Sequence, residues 1–152
     1  MQDIMLSEVK NEETQGKHLI FSICDVHYGI EIEYVTEIIS VQPITPVPNT
    51  PCYVKGITNI RGTIVPVVDM RARFKLEEVP YDERTCIVLL SKENVNIGLI
   101  VDAVADVISF SADDLLPLPT GSTTDKNKFL KGIGKCDGEV KQIIDISKIF
   151  DT

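Results

Sequence analysis

The sequence predicts a mainly β fold built as two small packed barrels with a few short helices. Three observations predict it. The apolar residues are dominated by Val and Ile, whose branched side chains favour the pleated surface of a strand. They fall in short runs separated by turn residues, as strands do. The sequence also repeats itself, and neither copy is large enough to bury its apolar faces easily alone.

Taken in order, residues 1–17 are polar and are expected to be loosely ordered. Residues 19–23 read as a strand, and Asp25-Val26-His27 connects tightly to an alternating strand at 28–32. Val35, Ile38 and Ile39 stand at i, i+3 and i+4, which predicts one or two helical turns followed by a strand. Pro43, Pro46, Pro48 and Pro51 forbid a helix or a central strand and predict an extended surface path. Residues 53–60 and 63–68 read as strands joined at Arg61-Gly62, with Pro66 pointing to an edge or a bulge. A short helix at 70–74 and a charged loop at 75–84 follow. Residues 86–91 and 97–101 form a hairpin around 92–96. Ser111 caps a helical turn, with Asp114 in the capping-box position. Residues 120–128 read as a polar loop. Residues 130–135 and 140–146 pair around Asp137-Gly138, and Ser147 caps a terminal helix ending at Phe150.

The repeat has two blocks. Residues 28–40 lie over 97–109, bringing Gly29 to Gly98, Val35 to Val104, Glu37 to Asp106 and Ser40 to Ser109. Each copy then reaches a Pro-x-Pro, at Pro46-Val47-Pro48 and Pro117-Leu118-Pro119. In the second block Lys55-Gly56-Ile57 meets Lys131-Gly132-Ile133, Gly62 meets Gly138, Asp69 meets Asp145 and Phe74 meets Phe150, every pair 76 positions apart. Many short strands in a duplicated unit predict closure into barrels, which removes exposed edges.

Composition excludes several functions. The 152 residues carry a net charge of −8 with no basic run, a poor match to nucleic acid or to an anionic membrane surface. Cys24, Cys52, Cys86 and Cys136 form no C-x-x-C pair. With only His18 and His27 available, no zinc spacing arises. Cys24 and Cys86 sit in apolar runs and read as buried free thiols. No signal-peptide run or bilayer-length apolar stretch occurs, and a cytoplasmic protein is expected. No Ser or Cys is paired with a histidine base and no phosphate-binding loop occurs, so no catalytic residue, metal or cofactor is assigned.

Residues 53–71, Tyr-Val-Lys-Gly-Ile-Thr-Asn-Ile-Arg-Gly-Thr-Ile-Val-Pro-Val-Val-Asp-Met-Arg, resemble the signature segment of CheW-like domains. So do Tyr28-Gly29-Ile30-Glu31-Ile32, Val35, Glu37-Ile38-Ile39 and Pro46-Val47-Pro48, and residues 98–104 in the second half. The likeness runs from about residue 18 to 150; Ile60 replaces the Leu of the family's Asn-Leu-Arg-Gly. The resemblance implies two SH3-like five-stranded β-barrels packed about a pseudo-twofold. A flexible segment 1–17 would precede them, with copies at roughly 18–76 and 85–152 and strand exchange between the copies left open.

It also implies a non-catalytic adaptor that couples methyl-accepting chemoreceptors, at their cytoplasmic tips, to the CheW-like regulatory domain of the histidine kinase CheA. That places the protein at the inner face of the membrane, with a second copy of itself as a further contact in array rings. No room remains for an ATP-binding, phosphotransfer or receiver domain, so the stand-alone coupler is the nearest member. Two alternatives stand: a coupler for a related pathway that does not control swimming, and a small-molecule-binding barrel, which needs an enclosed pocket with convergent polar groups.

Candidate partner-binding residues follow. Arg61 can grip a carboxylate or backbone carbonyls with its fork, and the duplicated loop, Lys135-Cys136-Asp137-Gly138, has no Arg. A structural bridge or a solvated turn is the competing reading. Asn59 flanks it. Val35, Glu37 and Ile38 would face a partner, with a core role for Val35 and Ile38 as the alternative. Val101, Val104 and Val107 would line a seam that takes a receptor helix. Gly56 and Gly62 are read as structural, through close backbone approach or positive φ. Asp69 and Asp145 share a cap or turn role.

Overall fold

A computed structural model describes residues 16–118 and 127–150. In chain order the elements are β1 (Lys17–Ile23), β2 (Val26–Glu31), β3 (Val35–Ser40), β4 (Val54–Ile60), β5 (Thr63–Asp69), α1 (Met70–Arg73), β6 (Cys86–Lys92), β7 (Val95–Val101), β8 (Ala103–Ser109), β9 (Leu115–Leu116), β10 (Leu130–Cys136), β11 (Glu139–Ile144) and α2 (Ile146–Phe150). Single 3-10 turns occupy Ile32–Tyr34, Ala112–Asp114 and Asn127–Phe129.

The chain divides into two compact units. The first spans Tyr34–Ala103; the second combines the chain up to Glu33 with the chain from Val104 onward. In the first unit the sheet order is β3-β6-β7-β5-β4. The segment after β3 crosses to the far edge, where Thr45 and Ile57 exchange backbone hydrogen bonds of 2.8 and 2.9 Å and close the sheet. Val65, Val67, Ile87, Leu89 and Ile100 form its core. In the second unit the order is β8-β1-β2-β11-β10-β9. The chain leaving β8 returns as the two-residue β9, which pairs with β10 and closes that sheet in the same way. The expected five strands are thus a main set of five plus one short closing strand. Ile20, Phe110 and Ile143 pack at its centre.

The units do not coincide with the sequence copies. The β1–β2 hairpin corresponds to β6–β7, β3 to β8, and β4–β5–α1 to β10–β11–α2, yet β6 and β7 sit in the sheet of β3, β4 and β5. Parallel pairings make the join: Val67 with Gly98 in the first unit, Ile143 with Gly29 in the second. Each copy therefore exchanges strands with the other.

Four two-residue turns link the hairpins. Cys24-Asp25, Arg61-Gly62, Glu93-Asn94 and Asp137-Gly138 all have positive φ at both positions. This is the signature of a type I′ turn, whose twist matches that of the strands.

Several expectations are corrected. The helical turn ends at Tyr34, before Val35; Val35, Ile38 and Ile39 all lie in β3, whose register shifts by a bulge between Val35 and Glu37. Pro66 lies in β5, which is flanked on both sides; it is tolerated because pairing with β7 begins one residue later, at Val67. Cys24 is exposed, because it sits in a turn rather than a strand; Cys86 is buried as expected. The last helix is capped by Asp145, whose Oδ1 accepts from the Ser147 amide at 3.0 Å, and not by Ser147. Ser111 does form its capping box, with its Oγ 3.0 Å and its amide 3.2 Å from Asp114 Oδ2. The 1–17 segment up to residue 15, and most of the polar loop at 120–128, lie outside the described residues.

Candidate partner-binding site

The β4–β5 turn presents the one candidate side chain whose position local physics does not favour. Type I′ turns prefer Asn, Asp or Gly at the first central position. The duplicate turn obeys, with Asp137 at φ +52°; here Arg61 stands in that position at φ +50°, as Cys24 and Glu93 do in the other two hairpin turns at φ +52° and +51°. Gly62 follows at φ +87°, and its amide donates to Asn59 Oδ1 at 2.8 Å, bracing the turn. The left-handed backbone is common to all four turns, so what sets Arg61 apart is the exposed forked cation that its duplicate lacks.

The guanidinium is held by a partner. Arg61 Nη1 and Nη2 donate to the two carboxylate oxygens of Glu37 at 2.5 and 2.6 Å, a bidentate fork. The hydrogen bond from Arg61 holds the Glu37 carboxyl below the usual carboxylate range, and Glu37 in turn raises the Arg61 value. The Arg61 side chain is 74% exposed, so water screens the pair and it contributes little to folding. Its effect is geometric: it fixes a cationic fork over β3. Beneath it lies a cleft of about 320 Å³ with Ile60, Val65, Leu89 and Leu90 in its lining and Glu37 and Arg61 among its polar members.

The other candidates fall into place around this corner or away from it. Ile38 is half-buried on β3, two strands from β7 in the same sheet. Val35 is fully buried, so its assignment to a partner surface is corrected: its side chain belongs to the core. The same holds for Val101 and Val104, which are buried and offer no face to a docking helix; Val107, on β8, is half-buried. Asn59 is exposed, but its carbonyl is committed to the turn. Gly56 lies within β4 rather than in a loop, at a bulge. It has φ +146°, and an added Cβ would stand 2.1 Å from the Thr45 carbonyl oxygen, so the closing segment requires glycine there. Gly62 meets nothing within 4 Å and is needed for its φ alone.

Asp69 and Asp145 do share a role. Each caps the helix that follows, Asp69 Oδ1 accepting from the Arg71 amide at 2.9 Å. Asp69 also accepts from the Tyr81 hydroxyl at 3.0 Å, which fastens the 75–84 loop to the first unit. Lys55–Glu78 at 2.6 Å and the Arg71 Nη1 donation to the Glu77 carbonyl at 3.0 Å add to that fastening, while Arg71–Asp102 at 2.9 and 2.6 Å ties α1 to the end of β7; none of these was foreseen, because long-range contacts leave no local signal. Also unforeseen are Ile64 and Val140, 55% and 53% exposed, at equivalent places in the two copies. The repeat aligns them and could have exposed them as a pair.

Among the described residues, no three His, Cys, Asp or Glu side chains are placed to hold a metal, and no helix is long and apolar enough to cross a membrane.

Two closed β units of SH3-like type, with an exposed Arg61–Glu37 corner and strands exchanged between repeats, define a double-barrel scaffold. The family model of the CheW-like domain matches residues 17–152, and the chain belongs to that family. A chemotaxis protein CheW of Klebsiella aerogenes is 35% identical over 147 residues, covering 97% of this chain and 89% of the relative. The crystal structure of scaffolding protein TtCheW from Thermoanaerobacter tengcongensis matches with a TM-score of 0.79 and 34% identity, over 86% of this chain and 89% of that one. A more distant relative, protein FrzA of Myxococcus xanthus, is 27% identical over 134 residues, 87% of this chain and 83% of its own length. The chain is accordingly a non-catalytic scaffold protein of the chemotaxis type.

Proposed function

We propose that the protein couples methyl-accepting chemoreceptors to the histidine kinase CheA, working in the cytoplasm at the inner face of the membrane. The Arg61–Glu37 corner, with Asn59 and Ile38 beside it, contacts a partner, and the apolar cleft under it receives an apolar side chain from that partner. The observation that carries this reading is Arg61 itself: an exposed arginine in a left-handed turn position where its duplicate is an aspartate. A charge-assisted fork over an apolar floor suits recognition by buried apolar anchors with a polar rim.

The partners are the cytoplasmic tip of a receptor and the CheW-like regulatory domain of CheA, with a second copy of the chain as a further contact. Likeness to FrzA supports a second reading, a coupler in a related pathway with a different output. Reconstitution with the kinase and a receptor fragment from the same genome tests the proposal. Retention of both in one complex, without nucleotide turnover by this chain, supports it. Retention of neither overturns it.

A further inference from the structure

The first unit carries a second pocket, which shares no lining residue with the Arg61 cleft. It measures about 380 Å³, within the range of sites that hold a ligand. Val79 and Tyr81 of the 75–84 loop and Ile44 of the closing segment supply its apolar lining. Val79 and Tyr81 are each 42% exposed, so this lining is open to a partner. Asp69 also lines the pocket, although it is only 4% exposed. Both of its oxygens are hydrogen-bonded, but by neutral groups: Oδ1 by the Arg71 amide at 2.9 Å and Oδ2 by the Tyr81 hydroxyl at 3.0 Å. Each oxygen keeps a second lone pair. Among the described residues no cation pairs with it, and the ammonium that lines the pocket, Lys55, is bonded to Glu78 at 2.6 Å. Burial, with the Asp69 charge beside it, pushes the Tyr81 hydroxyl above the ordinary tyrosine value, so it stays a neutral donor. A carboxylate this deeply buried ordinarily has a cationic partner.

We propose that this pocket receives an arginine side chain from a partner protein, its guanidinium on the Asp69 carboxylate and its methylene stem along Ile44 and Val79. The surroundings favour a cation: along the loop Glu77, Glu78, Asp82 and Glu83 outnumber Lys75 and Arg84. The exposed apolar lining suits a residue with a long aliphatic stem and a charged head. Arginine fits better than lysine. Its guanidinium is weakly hydrated, so it loses less on leaving water. Its two parallel N–H bonds match one free lone pair on each Asp69 oxygen, and its plane stacks on rings such as that of Tyr81. The contact is separate from the Arg61 corner and is tested without kinase or receptor, so neither reading stands or falls with the other.

The test titrates the full chain, with Ile, Leu and Val methyl groups labelled for NMR, with the blocked peptide acetyl-Leu-Arg-Leu-amide. The same peptide with citrulline in place of arginine keeps the shape and removes the charge. Saturable shifts of the Ile44 and Val79 methyls are expected with the arginine peptide, and binding about tenfold weaker with citrulline, the loss of a charge-assisted hydrogen bond. Val79→Lys, at an exposed position, places a like charge at the rim and should weaken the arginine peptide by about tenfold or more. Asp69→Asn keeps a capping oxygen and should abolish the preference for arginine over citrulline. Four results overturn the proposal: equal binding of the two peptides to the unmodified chain; shifts confined to Ile38, Leu89 and Leu90 around the Arg61 cleft; unchanged binding by Val79→Lys; or no shift with about 10 mM peptide, a concentration that detects millimolar binding.

Discussion

Gly56 and Thr45 touch through backbone alone: a methyl added to Gly56 would stand 2.1 Å from the Thr45 carbonyl oxygen. The duplicate repeats the relationship, with Gly132 and the Leu116 carbonyl oxygen at 2.4 Å. In each unit this is where the closing segment meets the far edge of the sheet. The glycine is therefore what lets the barrel close, and Gly56 adds a φ of +146° that side chains resist. Gly56→Ala should cost about 2–4 kcal/mol in urea unfolding, through combined clash and strain. Gly62→Ala has open space around it and should cost about 1 kcal/mol, from its positive φ alone. Equal losses at the two positions would contradict this division.

Arg61 separates stability from recognition. Arg61→Gly relieves a left-handed arginine and gives up an exposed, screened ion pair, so the melting temperature should hold or rise slightly. Assembly with receptor fragment and kinase should nevertheless weaken, by about tenfold or more if the fork contributes as charge-assisted recognition contacts do. Arg61→Lys should rescue only partly, since an ammonium cannot reproduce the two-point grip. A clear drop in melting temperature with unchanged assembly would return Arg61 to a structural role.

The strands were legible because their signals are local. Paired turn residues such as Arg61-Gly62 and Asp137-Gly138 mark hairpins, and the alternation beside them marks the strands. Exchange between the copies was not legible, because the pairing of Ile143 with Gly29 lies between distant segments and depends on which edge is free when the chain returns. The Arg61–Glu37 corner was half legible. Comparing the copies singled out Arg61, and the family likeness singled out Glu37, but nothing in the sequence says that one grips the other. Val35 was misplaced because an apolar residue beside a β-bulge reads the same whether it points inward or outward. Cys24 was misplaced because an apolar run hides the turn that ends it.

Tyr81 ties the 75–84 loop to the buried carboxylate of Asp69, which also caps α1. Tyr81→Phe removes one hydrogen bond to a charged group from a half-exposed residue, and about 1 kcal/mol of stability should be lost. Amide exchange should speed up across residues 76–84 and not in α1, where the cap survives. Asp69→Asn should cost more than Asp145→Asn, because Asp69 serves both a cap and the Tyr81 hydroxyl, whereas among the described residues Asp145 accepts from no tyrosine. Matching losses at the two aspartates would mean that the loop is held by Lys55–Glu78 and Arg71 without help from Tyr81.

The pH response of the second unit should run through His18. Burial pushes its imidazole below the ordinary histidine value of 6.5, against smaller upward contributions from the Gly16 carbonyl and Glu31. The folded state therefore prefers neutral His18, while the unfolded chain takes up a proton first as the pH falls. The stability this provides is complete above pH 6.5 and declines as the pH drops from there toward the lowered folded value. The urea midpoint should accordingly fall between pH 7.5 and 5.5, and His18→Gln should flatten that fall while lowering the midpoint at pH 7.5 through lost edge packing on Phe110, 5.2 Å away. The Glu37 carboxyl cannot imitate the effect. Its own pKa is lowered by Arg61 from 4.5, so its contribution persists until the pH has dropped below that value. A midpoint that falls equally steeply in the His18→Gln variant would place the responsible proton on another group.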